Sequence, residues 1–261
     1  MSTFTCRIRR VAATLAAVIV LAAGAYLVLS RSMNAEAPEP ERAAARPDPP
    51  CDVHIGTGED GASVGLSVED ARRATTAVVL EAVGAKAPST YGIDPAVLER
   101  LREGPPDDAG PSLTCRAATT DDLLSEDFTA SGLTPRAQAV LTAVTETFGE
   151  QSVGGFQPGG LTSGHGIDSA HYLGAAVDFF FRPISEENRR SGWLLAHWLV
   201  AHAEEFHVAN VIFDDRIWSI SDSQGGWASY QPPPIGDPDN EILRHVDHVH
   251  VDVQIGEKAD P

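Results

Sequence analysis

The sequence predicts an α+β fold, with flanking helices packed on a small, mainly antiparallel sheet. Three observations carry this. Apolar residues recur at helical spacing behind capping residues in 66–85, in the run after Thr134 and in 186–206. Short apolar or alternating segments bounded by turn residues read as strands: AAVDFFF (175–181), VANVIF (208–213), RIWSI (216–220) and HVHVDVQI (248–255). Asp214-Asp215 lies between two of these strands, as the turn of a hairpin would. No internal repeat is found.

The chain has 261 residues, with 19 basic against 37 acidic and a net charge of −18. No basic face remains to neutralise phosphates, which excludes a nucleic-acid binder working by charge. A hydrophobic content of 43% is that of a globular chain and excludes wholesale disorder.

Four segments follow in order. Residues 1–31 read as a cytoplasmic stub and a transmembrane anchor. Residues 11–29, VAATLAAVIVLAAGAYLVL, are apolar and uncharged, long enough to cross roughly 30 Å of hydrocarbon. Arg7, Arg9 and Arg10 precede them, which places the N-terminus in the cytoplasm and the remainder outside. The expected location is therefore the cell membrane, single-pass, with an extracellular C-terminal domain. A cleaved signal peptide ending at Ala35-Glu36-Ala37 is the alternative and would give a secreted protein. Residues 32–50 are rich in Pro, Ala and Glu and read as an extended spacer.

Residues 51–115 read as a small helical module. Ser67 caps one helix, with Glu69 and Asp70 in its first turn. A second starts at Asp94-Pro95 and runs through Leu101. Cys51 and Cys115 bound the module. A disulfide between them is the simple expectation in an oxidising compartment, worth roughly 4 kcal/mol by loop entropy, with two free thiols as the alternative. Residues 116–261 form the last segment. Thr134 with Pro135 opens its first helix, and Ser185 with Glu186 and Glu187 opens its second.

The candidate chemistry lies in this last segment. In SAHYLGAAVD (169–178), a loop carrying His171 turns at Gly174 into a strand carrying Asp178. In HVDHVH (245–250), strand alternation puts His248 and His250 on one face, about 7 Å apart, and the Val side chains on the other. Imidazoles on one exposed face of a terminal strand are poor core material. Together with Asp178 they make a natural metal site. Two His and one Asp leave one tetrahedral position open, the pattern of catalytic zinc. The facial triad of non-haem iron is the competing reading. It usually opens with His and a carboxylate one residue apart, whereas six residues separate His171 from Asp178.

SAHYLGAAVD fits S-x-H-x-x-G-x-A-x-D and so resembles the first zinc motif of the VanY-type D-alanyl-D-alanine carboxypeptidases and peptidoglycan endopeptidases. These share the hedgehog/DD-peptidase zinc fold. HVDHVHV is similar to their second motif. The resemblance covers about 133–255, and the likeness is to actinobacterial exported proteins. It implies Zn2+ held by His171, Asp178 and His250, with His248 steadying the water and oxyanion. The family's usual Glu before the last His is absent, and His245 is the candidate base in its place. Its Ser-Gly-Tyr-Arg stretch appears here only as Thr162-Ser163-Gly164-His165.

The function expected from this likeness is an exported zinc metallopeptidase. It hydrolyses peptide bonds of peptidoglycan stems or cross-links by metal-activated water. The alternative is a non-catalytic, zinc-containing cell-wall-binding module. The expected partners are a peptidoglycan peptide and, through the N-terminal helix, the membrane. The sequence sets no oligomeric state. His165 reads as a solvated loop residue, and His197 and His202 as packing or surface. Trp218, Trp227 and Tyr230 read as groove or core. Arg182 and Arg216 read as carboxylate contacts or, more simply, as surface ion pairs.

Overall fold

Helix α1 (Val68–Ala82) starts where Ser67 Oγ accepts a hydrogen bond from the Asp70 N–H at 3.1 Å. That bond satisfies one of the donors a helix start leaves open. The same device opens the other helices. Asp94 caps α2 (Pro95–Glu103), Thr134 caps α3 (Pro135–Phe148) and Ser185 caps α4 (Glu186–Ala201). In a computed structural model these elements lie within the described residues, 50–56, 61–106, 111–232, 237 and 239–257.

The strands form two antiparallel sheets. The smaller has the order β2-β1-β3, from β1 (Cys51–Ile55), β2 (Ala62–Leu66) and β3 (Leu113–Cys115). The reading of 51–115 as helical missed these strands. They are short, β2 contains Gly65, and the β1–β3 pairing closes a loop of more than 50 residues (roughly, by the strand bounds) that no local pattern announces. Cys51 and Cys115 stand directly opposite in the ladder and form the expected disulfide.

The larger sheet contains β4 (Val153–Gly154), β5 (Ala176–Phe180), β6 (Val208–Phe213), β7 (Arg216–Ser219), β8 (Ala228–Ser229) and β9 (His248–Val253). Their order is β4-β5-β9-β6-β7-β8. The last strand of the chain is thus paired on both sides, and all six of its residues are buried. This corrects the expectation that its histidine face is exposed.

Helix α4 packs against the larger sheet through β6 and against β3 of the smaller one. Trp193, Leu195, Ala196, Trp198 and Leu199 are all buried in a core shared with residues of both sheets. Trp218 is fully buried, and its indole N–H donates to the Cys115 carbonyl at 3.0 Å. Trp227 donates to the Leu113 carbonyl at 2.8 Å. Both tryptophans therefore tie the larger sheet to β3. Buried indoles need such partners.

The membrane anchor, and the cell-membrane location that rested on it, are corrected. Among the described residues no helix is long and apolar enough to cross a membrane. The apolar run 11–29 and the spacer up to residue 49 lie outside the described residues.

Candidate metal centre

Strand register brings the first two groups together. Asp178 of β5 stands directly opposite His250 of β9. Side chains of such cross-strand pairs share a face a few ångströms apart. His171 arrives from a 3-10 turn, Ala170–Leu173, whose capping residue is Ser169. Gly174 then reverses the chain into β5 with φ of 62°. A Cβ there would fall 2.4 Å from the Gly132 carbonyl oxygen, so glycine is required on both counts.

Three ligand atoms converge. His171 Nε2 lies 3.3 Å from Asp178 Oδ1, His250 Nδ1 lies 3.1 Å from the same oxygen, and the two nitrogens are 3.1 Å apart. Bond lengths of about 2.0–2.1 Å around a tetrahedral ion place its ligand atoms roughly 3.3–3.4 Å apart. The nearly equilateral triangle fits that spacing within a few tenths of an ångström, and all three residues are buried. His171, Asp178 and His250 form a possible metal-binding triad.

The outer contacts set which atoms face inward. His171 Nδ1–H donates to the Gly155 carbonyl at 2.7 Å, which turns the Nε2 lone pair toward Asp178. His250 Nε2 lies 3.2 Å from Asp252 Oδ2, and Asn210 holds both Asp252 oxygens at 2.9 and 3.2 Å. Burial opposes charge on His250, but hydrogen bonding to Asp178 and Asp252 overcomes it and raises its pKa to about 9. Burial likewise pushes the Asp178 carboxyl up, and the His171 and His250 rings beside it bring it well below the carboxylate range.

His248 and His245 flank the triad. His248 Nε2 is 3.8 Å from Asp178 Oδ1, and its Nδ1–H donates to Asp247 Oδ1 at 2.7 Å. Arg182 holds the other Asp247 oxygen at 2.6 Å and stacks over Phe180. Arg182 is therefore committed to an ion pair. The His245 ring lies 4.6 Å from that of His248 and 5.6 Å from that of His250, with Tyr230 edge-on at 4.9 Å. Burial, then the neighbouring His250 and His248, lower its pKa to about 2. Glu241 is exposed.

Residues 129–241 match the family model described as VldE, C-terminal domain. The VldE match runs through α3, His171, Asp178 and the β6–β7 hairpin. It ends before His245, so the strand carrying His248 and His250 lies beyond it. No curated protein and no solved structure matches the chain.

Several residues around the triad were not legible as functional. Gly155 has φ of 80°, and a Cβ on it would lie 2.3 Å from the His171 ring and 2.9 Å from Asp178 Oδ2. Its only sequence signal is the glycine-rich GGFQPGG. Asp252 shares the alternating face of His248 and His250, and that was the clue to its role. Asp247 gave no signal, because it precedes the strand. His165 is the exposed loop residue expected, and its ring also lies against that of His171, with centroids 4.1 Å apart.

Proposed function

We propose that the chain is a zinc-dependent peptidase that hydrolyses peptide bonds of peptidoglycan stems or cross-links. The observation that carries this reading is the triangle of two imidazole nitrogens and one carboxylate oxygen, 3.1–3.3 Å on a side, with one tetrahedral position left over. The S-x-H-x-x-G-x-A-x-D likeness to VanY-type enzymes supports the choice of substrate.

His171 Nε2, Asp178 Oδ1 and His250 Nδ1 would hold the ion. When bound, zinc supplies a Lewis acid for the scissile carbonyl and makes a nearby water easier to deprotonate. His245 Nδ1–H donates to the Leu243 carbonyl at 3.2 Å, which leaves the Nε2 lone pair to take the water's proton. Burial keeps that ring neutral near pH 7 and its lone pair open, and the same lowering makes the imidazole a weaker base. His245 then passes the proton to the leaving amine. Asp247 fixes the His248 ring, and in the imidazolium form, with both nitrogens protonated, its Nε2–H would donate to the oxygen that gains negative charge in the transition state.

Digestion of purified cell wall, read by mass spectrometry, tests the reading. The native chain should release new stem fragments, and His171→Ala should release none while keeping its fold. Equal release by the variant would overturn the proposal. Retention of wall peptide without any fragment from the native chain would favour the binding module instead.

A further inference from the structure

Where β5 ends, a groove of about 380 Å³ opens, lined by Val79, Ala82, Val83, Phe148, Phe180 and Arg182, among others. One wall belongs to the sheet face that carries the triad. The register that sets Asp178 opposite His250 sets Phe180 opposite His248. Phe180 therefore lies two residues, or about 7 Å, along β5 from Asp178 and on the same side. Its ring is 5.7 Å from that of His248, whose Nε2 is 3.8 Å from Asp178 Oδ1. An extended peptide advances about 3.3–3.6 Å per residue, so two residues carry a substrate from the triad to the groove.

Another wall comes from the N-terminal module. Val79, Ala82 and Val83 stand at the end of α1, outside the 129–241 match and outside the 133–255 likeness. Phe148 and Phe180 are half-buried and Ala82 and Val83 exposed, which leaves apolar surface uncovered beside the site. Among the described residues of the lining, Arg182 alone is charged. Asp247 Oδ2 accepts from its Nε at 2.6 Å and lies 2.6 Å from its Nη2, so the guanidinium is already neutralised while several N–H donors remain. An ammonium brings only further donors to that end, and a second carboxylate meets the charge of Asp247. A neutral carbonyl oxygen avoids both.

We propose that this groove binds a long aliphatic side chain of the peptide substrate whose terminal amine is acylated, with the methylenes against α1 and Phe180 and the acyl oxygen on Arg182. The diamino residue of a cross-linked stem carries such a side chain. The proposal rests on the peptidase reading above, names the substrate group beside the metal centre and gives the module of residues 51–115 a part in recognition.

The test uses stem peptides that differ only at the diamino position, which holds Nε-acetyl-lysine, lysine or alanine. On the native full chain, KM for the acetyl-lysine peptide should lie about 10-fold or more below that for the alanine peptide, because its methylenes leave water. It should also lie below that for the lysine peptide. Ala82→Trp fills the groove from an exposed position and should erase both gaps. Harm to the fold alone would shift all the peptides alike. A KM for acetyl-lysine equal to either of the others on the native chain, or gaps unchanged in the variant, would overturn the proposal. If the native chain cleaves none of the peptides, the peptidase reading falls. The groove is then judged by equilibrium binding of the same set. An acetyl-lysine preference lost in Ala82→Trp upholds the groove, and no preference in the native chain, or one kept in the variant, overturns it.

Discussion

Helix α4 and the β5–β9 pair each bury histidines, and the two places treat them in opposite ways. His197 of α4 is fully buried and stacks on Trp193, with ring centroids 5.4 Å apart. Its Nε2 accepts from the Leu113 N–H at 3.3 Å, and among the described residues no carboxylate pairs with it. Burial alone lowers its pKa to about 3. His250 is buried too, but Asp178 and Asp252 lie on its two nitrogens and hold it near 9. Burial sets the cost of a charge, and the partners decide whether that cost is met. The α4 histidine is a neutral packing group. The β9 histidine sits among acceptors and donors suited to a cation.

The largest expected effect breaks the second region. Metal content of the full chain, measured after zinc is offered, should be about one ion per chain and should fall to none in His250→Ala. Unchanged metal in that variant would remove His250 from the triad. Next in size is the staple of the smaller sheet. Replacing Cys51 and Cys115 by Ala should cost roughly 4 kcal/mol in denaturant unfolding. It should leave zinc content unchanged if the two regions are separable in function.

Gly155→Ala sharpens the comparison, because it presses on His171 and Asp178 without removing a ligand. It should weaken zinc affinity by about 10- to 100-fold, the range for disturbed outer contacts of a metal site. Native affinity in a folded variant would show that the site accommodates a Cβ at position 155 without displacing His171 or Asp178. The remaining effect belongs to α4 and shows only as pH falls. With its folded pKa near 3 and an unfolded value of 6.5, His197 takes up a proton in the unfolded chain first as pH falls. Its contribution is present above pH 6.5 and is lost toward pH 3, at up to about 1.4 kcal/mol per pH unit. His197→Gln should flatten that part of the urea-unfolding profile. An unchanged slope would mean that His197 does not titrate in this range on unfolding.

Local chemistry made much of this protein legible. Ser67, Asp94, Thr134 and Ser185 mark helix starts because a side-chain oxygen satisfies nearby N–H groups whatever lies elsewhere in the chain. The alternation of HVHVDV put His248, His250 and Asp252 on one face for a similar reason, since the strand period is a backbone property. The residue types of the triad, and the Gly174 turn that delivers His171, were also readable from the chain alone.

Only the tertiary structure decided the rest. It placed β9 between β5 and β6 and so buried the histidine face. The register set Asp178 opposite His250, and a glycine carbonyl 16 residues before His171 came to aim its ring. The pairing of β1 with β3 belongs to the same class. These are contacts between segments far apart in sequence. Their energy depends on which surfaces meet in the folded chain, and no local propensity encodes that.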